Sequence, residues 1–244
     1  MNFRPHRYQQ IALDKIISTP RVGLFLDMGL GKTVVTLTAI DELIYNCYEI
    51  EKVLVIAPLR VAEDTWSREC EKWDHLRHLR ISKILGTPSQ RRNALLKDIY
   101  IINRENVAWL TNELSSIGNA WDFDMVVIDE LSSFKSSKSQ RFKALKKYIT
   151  LSKRVVGLTG TPAPNGLIDL WSQIYLLDSG ERLGRTVTGR DIFFPINVIR
   201  PRFSVTSRKR NPKRRYMIKF RIYASVCRQK IGLKCLKGLI PFSI

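Results

Sequence analysis

The sequence predicts an α/β fold, a mostly parallel sheet with helices on both faces. Three observations carry that reading. Short β-rich apolar runs alternate with amphipathic helical patterns from residue 23 to residue 177, as in a βαβ architecture. Two of the runs, 52–57 (KVLVIA) and 125–129 (MVVID), are apolar nearly throughout rather than at every second position, as expected of strands covered on both sides. The residues that could bear chemistry follow strands directly, at the carboxyl ends where open sheets of this kind bind ligands.

Taken in order, Ile11, Ala12, Ile16 and Ile17 predict a short amphipathic helix over residues 5–17, ended by Thr19-Pro20. A strand at 23–27 leads into a Gly-rich turn. A helix beginning at Val34 follows, with Val34, Leu37, Ile40, Leu43 and Ile44 as its buried stripe. Pro58 closes the strand at 52–57. In the helical stretch 61–73, Trp66, Glu69 and Trp73 share one face, and both tryptophans read as packing residues. Strands are predicted at 81–85 and 99–103 with a polar helix at 89–96 between them, then a helix at 105–114 and strands at 125–129 and 154–159. The last helix is 167–177. There is no internal repeat. Past Gly184 the alternation stops, which divides the chain into a lobe, 1–184, and an irregular basic tail, 185–244.

A chain of 244 residues has enough apolar content for a core without staples. Cys47, Cys70, Cys227 and Cys235 form no C-x-x-C pair and have no histidine at zinc spacing, so neither a disulfide framework nor a metal site is indicated. No apolar run reaches the length of a membrane span, and residues 1–6 lack the core of a signal peptide. A soluble, cytoplasmic protein with no membrane partner is expected. The formal net charge of +19 looks like a nucleic-acid signature, but it is unevenly spread. Up to Gly184 there are 25 basic and 21 acidic residues; after it, 16 basic residues face one acid, Asp191.

The chemistry centres on Leu26-Asp27-Met28-Gly29-Leu30-Gly31-Lys32-Thr33. A Gly-rich turn between strand and helix presents converging backbone N–H groups and the positive end of the helix dipole to a phosphate. In that frame the backbone of Met28, Gly29, Leu30 and Gly31 forms the cradle, Lys32 reaches the terminal phosphates and Thr33 ligates Mg²⁺. The general pattern G-x-x-x-x-G-K-[ST] is short of its first glycine, since Leu26 stands there. A nucleotide triphosphatase also needs a metal clamp and a group that orients water. Asp129 and Glu130, at the end of an apolar strand, supply two carboxylates for those tasks, Asp129 on the metal and Glu130 on the attacking water.

Taken together, Tyr8-Gln9, Asp27 to Thr33, Ala57-Pro58 with Trp66, Glu69 and Trp73, Asp129-Glu130 with Phe134-Lys135, and Leu158-Thr159-Gly160-Thr161-Pro162 with Asn165 resemble the superfamily 2 helicases. The match is closest to their Snf2-like group with its phage-encoded members, and it spans residues 3–184. These helicases match at D-x-G-x-G-K-T, which removes the objection raised by Leu26. The resemblance implies a RecA-like first lobe, ATP with Mg²⁺, and a double-stranded nucleic acid, usually DNA, as activating partner. It implies that Gln9 contacts the adenine and that Thr159, Gly160 and Thr161 couple the nucleotide state to lobe movement. It also places Arg60 at the nucleic-acid backbone, with Asn103-Arg104-Glu105 a weaker candidate of the same kind. One departure stands out: Ser132 replaces the histidine of D-E-x-H, which puts coupling in doubt more than ATP binding.

Helicases of this superfamily close ATP between two RecA-like lobes, the second donating arginine fingers, and nothing after Gly184 resembles a second lobe. The tail reads as a frameshift product or a disordered segment. Stepping back one base across residues 195–227 permits an acid–base balanced continuation that ends in an amphipathic pattern. Arg208-Lys209-Arg210 and Lys213-Arg214-Arg215, with Tyr216 and Phe220, alternatively form a nucleic-acid arm. Three functions therefore stand side by side: a Snf2-like ATP-dependent translocase or helicase represented by its first lobe, a catalytically deficient nucleotide-binding lobe, and a basic nucleic-acid-binding protein acting through its tail.

Overall fold

A computed structural model describes residues 1–92, 98–116, 118, 121–161, 167–184 and 236–242. Strands β1 (Arg21–Leu26), β2 (Val53–Ala57), β3 (Ile81–Ile84), β4 (Ile99–Asn103), β5 (Met125–Asp129), β6 (Arg154–Thr159) and β7 (Leu236–Phe242) form one sheet in the order β3-β4-β2-β5-β6-β1-β7. The first six are parallel, and β7 pairs antiparallel with β1 at the edge. Helices α1 (Arg7–Ser18), α2 (Lys32–Asp41), α3 (Trp66–Lys72), α4 (Pro88–Arg92), α5 (Val107–Ser116), α6 (Gln140–Tyr148) and α7 (Leu167–Asp178) complete it. This is the RecA-like arrangement that the resemblance implies.

Alternate side chains of each strand serve opposite layers. Val22, Leu24, Leu26, Val53 and Val55 are buried with Ala12 and Ile16 of α1, Leu37 and Ile40 of α2 and Trp66 of α3. Phe25, Leu54, Ile56, Val126 and Ile128 are buried with Val107 and Leu110 of α5, Phe142 and Leu145 of α6 and Trp171 and Ile174 of α7. Two covered faces are why these strands read as continuous apolar runs. Gly157 in β6 lets the second layer sit close: a Cβ there would lie 2.6 Å from Leu131 and 3.2 Å from Leu177.

Helix α1 is tied to the sheet by a buried arginine. Arg154, at the start of β6, donates from Nη1 to the carbonyls of Ile16 (2.8 Å) and Thr19 (3.3 Å), from Nη2 to that of Ile17, and pairs through Nε with Glu49 at 2.9 Å. A cation is favourable there, because the last carbonyls of a helix carry partial negative charge and lack intrahelical donors.

Besides shifts of about two residues in the bounds of β1 and α5, four departures from the sequence periodicity bear on the site or the sheet. Helix α2 begins at Lys32 rather than Val34, because Gly31 at φ 74° serves as its N-cap. That puts Lys32 and Thr33 in the first turn. Helix α6 was not legible: only Phe142 and Leu145 are buried on it, and Lys143, Lys146 and Lys147 dilute the apolar pattern. Its signal was the cap, since Ser139 accepts a hydrogen bond from the Phe142 N–H at 3.3 Å. The helix expected at 89–96 forms over Pro88–Arg92, and its remainder lies outside the described residues. Within the tail, expected to be irregular, Leu236–Phe242 forms β7; an extended apolar segment satisfies the otherwise open edge of β1. The basic clusters at 208–215, with Tyr216 and Phe220, fall outside the described residues. Among the described residues no helix is long and apolar enough to cross a membrane.

Candidate functional site

The order β2-β5-β6-β1 sets four loops side by side at one carboxyl edge. Arg60 follows β2, Asp129-Glu130 end β5, Thr159-Gly160-Thr161 end β6, and the Gly-rich turn follows β1. The parallel register pairs Asp129 with Leu158 and Thr159 with Phe25, so the acids and the turn flank a single strand, β6. The sequence separates these segments widely, and the sheet order brings them together.

In the turn, Gly29 and Gly31 have φ of 81° and 74°, a conformation open to glycine at little cost. A Cβ on Gly31 would lie 2.5 Å from Gln9 Nε2. Gln9, buried in the first turn of α1, donates from Nε2 to the Leu30 carbonyl at 3.2 Å and accepts from the His6 N–H at 2.9 Å. It thereby ties α1 to the turn. Met28 is 85% exposed at the tip. Lys32 Nζ donates to the carbonyls of Leu26 (2.9 Å) and Asp27 (3.0 Å). Burial lowers the Lys32 pKa, and the charges of Asp129, Glu130 and Asp27 oppose that shift.

Asp129 is a half-buried carboxylate whose pKa is pushed up from the ordinary range, chiefly by desolvation. The hydrogen bond from Trp66 and the charge of Lys32 act the other way. The Trp66 indole N–H donates to Asp129 Oδ2 at 3.1 Å. Glu130 has φ 57°, in the left-handed region that a bulky residue enters only under constraint. Its Oε1 is held twice, by the hydroxyls of Thr159 at 2.9 Å and of Ser132. The Thr161 N–H in turn donates to Thr159 Oγ1 at 3.1 Å. A continuous chain of hydrogen bonds thus joins the β6 loop to Glu130, and Ser132 takes part in it although it is not the histidine of the resembling motif. Gly160 lies against the turn: a Cβ there would sit 3.4 Å from the Leu26 carbonyl oxygen and 3.6 Å from the Met28 N.

A cleft of about 450 Å³ opens beside the turn, lined by Gln9, Gly29, Gly31, Lys32 and Thr33 on one side and Glu69, Lys72 and Trp73 of the α3 segment on the other. Phe3, Arg4, His6 and Tyr8 complete its rim, and Trp73 donates to Glu69 at 2.7 Å. The cleft with its cationic turn suits an anionic ligand, and the paired acids, which do not line the cleft, suit a hard cation.

Two expected positions stand apart from this cluster. Arg60 is exposed at the start of the helical segment that becomes α3. Arg104 pairs with Glu105 at 2.8 Å, and Glu105 lies 3.8 Å from Arg141, so the Asn103-Arg104-Glu105 group carries an internal ion-pair network. Trp66 was legible only as a packing residue. The signal for more was its place on the face shared with Glu69 and Trp73, because a buried indole N–H requires an acceptor.

Comparison with known proteins bears on the whole arrangement. The chain is 41% identical over 192 residues to p41 of Acyrthosiphon pisum secondary endosymbiont phage 1, a match covering 75% of this chain and 41% of that protein. It is 30% identical over 171 residues to the DNA repair and recombination protein RAD54-like of Gallus gallus, covering 63% of this chain and 22% of that protein. Among solved structures it resembles the Sulfolobus solfataricus SWI2/SNF2 ATPase core in complex with dsDNA, with a TM-score of 0.64 and 27% identity over 79% of this chain and 38% of that one. The matched region therefore spans less than half the length of each of these relatives. With residues 8–185 matching the SNF2-related domain, the chain belongs to the SNF2-related family of helicase-like ATPases.

Proposed function

We propose that the described lobe is the nucleotide-binding half of an ATP-driven motor that works on nucleic acid, with duplex DNA as its activating partner. The observation that carries this reading is the convergence of Lys32, Asp129, Glu130 and Thr159 at the ends of three adjacent strands. The donor set fits ATP with Mg²⁺: a hard cation takes oxygen ligands and is bound through one or two protein oxygens plus phosphates. Thr33 and Asp129 would hold it, and its chemistry is to neutralise charge on the phosphates. The backbone from Met28 to Gly31 would cradle the phosphates with Lys32, and Gln9, fixed on the Leu30 carbonyl, would face the base.

Glu130 is the group placed to orient water, and its side chain answers to Thr159 and Ser132. Through the Thr161 N–H that chain runs toward the residues following β6, so movement there would reach the acid directly. Arg60, on the same edge, would meet a nucleic-acid phosphate. Duplex DNA is favoured by the archaeal relative, whose structure is that of a complex with dsDNA. Turnover by this family of reactions also needs arginines opposite the terminal phosphate. In our reading these belong to a second lobe that the described residues do not include.

Nucleotide binding and turnover, each measured with and without duplex DNA, test the proposal. Mg²⁺-dependent ATP binding that Lys32→Ala weakens by at least about tenfold is expected, as for loss of a charge-assisted hydrogen bond. DNA-stimulated turnover by the lobe alone is expected to be slow, well below the roughly 1 s⁻¹ at the lower end of common enzyme rates. Absence of Mg²⁺-dependent nucleotide binding by the wild-type chain would overturn the reading.

A further inference from the structure

We propose that Trp66 is a positioning residue for the metal-binding carboxylate: its indole N–H holds one oxygen of Asp129 and thereby orients the carboxylate toward Mg²⁺. The inference rests on the reading of Asp129 as a metal ligand and adds a residue to that site. Trp66 is wholly buried, and its N–H donates to Asp129 Oδ2 at 3.1 Å, across 63 residues of sequence. A tryptophan used only for packing satisfies its N–H with whatever acceptor is near. Trp121 shows the structural use of the group, donating at 2.7 Å to the buried hydroxyl of Ser152. Trp66 instead donates to a carboxylate at the end of a central strand.

The physical effect is selection of one carboxylate geometry. An Asp side chain has two equivalent oxygens and a broad, roughly two-fold terminal torsion. With Oδ2 committed to a donor that the core cannot let move, and the Glu130 N–H also donating to the carboxylate, the group is fixed in one orientation toward a cation, and the entropy of orienting it is lost at folding rather than at binding. Groups that hold a metal ligand by its other atom act in this way. The element matters too. Trp66 opens α3, and the same helical segment begins beside Arg60 and ends in Glu69, Lys72 and Trp73 on the cleft wall. A shift of that segment, whether driven from Arg60 or from the cleft, would be felt at Asp129 through one hydrogen bond.

Trp66→Phe keeps most of the ring and deletes the donor. Equilibrium binding of ATP would be measured across a Mg²⁺ titration and in excess chelator, for the full chain, Trp66→Phe, Asp129→Asn and the double variant. Trp66→Phe should raise the Mg²⁺ concentration for half-maximal binding by about tenfold, the lower end of what removing such a supporting group costs in metal affinity. Affinity in chelator should stay as in the wild type. In the Asp129→Asn background the same change should shift nothing further, because both changes then act through one carboxylate.

An unchanged Mg²⁺ dependence in Trp66→Phe, an equal loss with and without Mg²⁺, or additive losses in the double variant would each show that Trp66 merely packs. Should Trp66→Phe not fold, benzothienylalanine at position 66 keeps the bicyclic shape, replaces the N–H by sulfur and is read by the same outcomes. A wild-type chain that binds ATP equally with and without Mg²⁺ would remove the metal-ligand role of Asp129 itself. That result strikes the parent reading and is distinguishable from a failure specific to Trp66.

Discussion

Asp129 is held in a state that its burial opposes. Its carboxyl keeps its proton to higher pH in the folded chain than in the unfolded one, because desolvation outweighs the help of Trp66 and Lys32. Between the ordinary and the raised value the folded state therefore binds more protons, and stability falls as pH rises through that window. Above the raised value the deficit is fully present. Asp129→Asn should accordingly melt at a higher temperature than the wild type at neutral pH, with the advantage closing as the pH falls through the window. Thermal unfolding followed at several pH values checks this; equal melting temperatures at neutral pH would mean that Lys32 and Trp66 compensate the charge in full. Such a cost retained at the position proposed to hold the metal would be the common trade of stability against activity.

Gly31 carries a second prediction at this scale. Its φ of 74° strains any L side chain, and the added Cβ would meet Gln9 Nε2 at 2.5 Å. Gly31→Ala should lose roughly 1–2 kcal/mol of stability from the backbone conformation alone. It should also displace Gln9 from the Leu30 carbonyl, so that ATP affinity falls together with stability. Wild-type ATP affinity in a folded Gly31→Ala variant would show that Gln9 has no part in binding.

Among the elements, α1 depends on a residue far away in the chain. Arg154 supplies donors to the carbonyls of Ile16, Ile17 and Thr19 from inside the sheet. Arg154→Leu keeps an apolar filling but strips those carbonyls of their partner. A loss of about 3 kcal/mol is expected, since each buried group left unsatisfied costs about 1–3 kcal/mol. Denaturant unfolding measures it, and Gln9, which rides on α1, should lose its order at the turn. The strands were legible because both of their faces are apolar, and α3 and α7 because their apolar residues keep a helical period. Helix α6 was not, since its burial rests on two side chains among lysines. The start of α2 was misplaced by two residues, because a glycine N-cap has no side-chain signature comparable to Ser or Asp.

At the scale of the molecule, charge separates what the fold joins. The lobe to Gly184 is nearly balanced, whereas 16 basic residues against one acid follow it. A segment of that kind releases condensed counterions from any duplex it meets. Deleting residues 190–230, which spares β7 on the edge of β1, should therefore abolish most salt-sensitive, sequence-independent DNA retention while leaving ATP binding intact. Retention that survives the deletion would instead belong to the sheet edge at Arg60. We also expect the gene around the codons for Phe194 and Pro195 to show a long open frame one base over. Without one, the tail is a genuine basic arm.

By itself the sequence singled out the residues proposed to carry the chemistry. Lys32 with Thr33, Asp129 with Glu130, and the Thr159-Gly160-Thr161 turn each announce themselves locally, as a Gly-rich turn before a helix, an acid pair after a strand and a Gly-Thr-Pro turn after another. It also determined the layered α/β class, because two-sided burial leaves an apolar run that no exposed strand has. Only the tertiary structure decided the strand order that sets these segments side by side, and the partners that hold them. Trp66 on Asp129, Thr159 and Ser132 on Glu130, and Arg154 under α1 are contacts across distances in sequence from two residues to well over a hundred. The physical reason is that a hydrogen bond depends on where two atoms meet in space. Local periodicity reports only which face of an element is buried, not what waits on the other side.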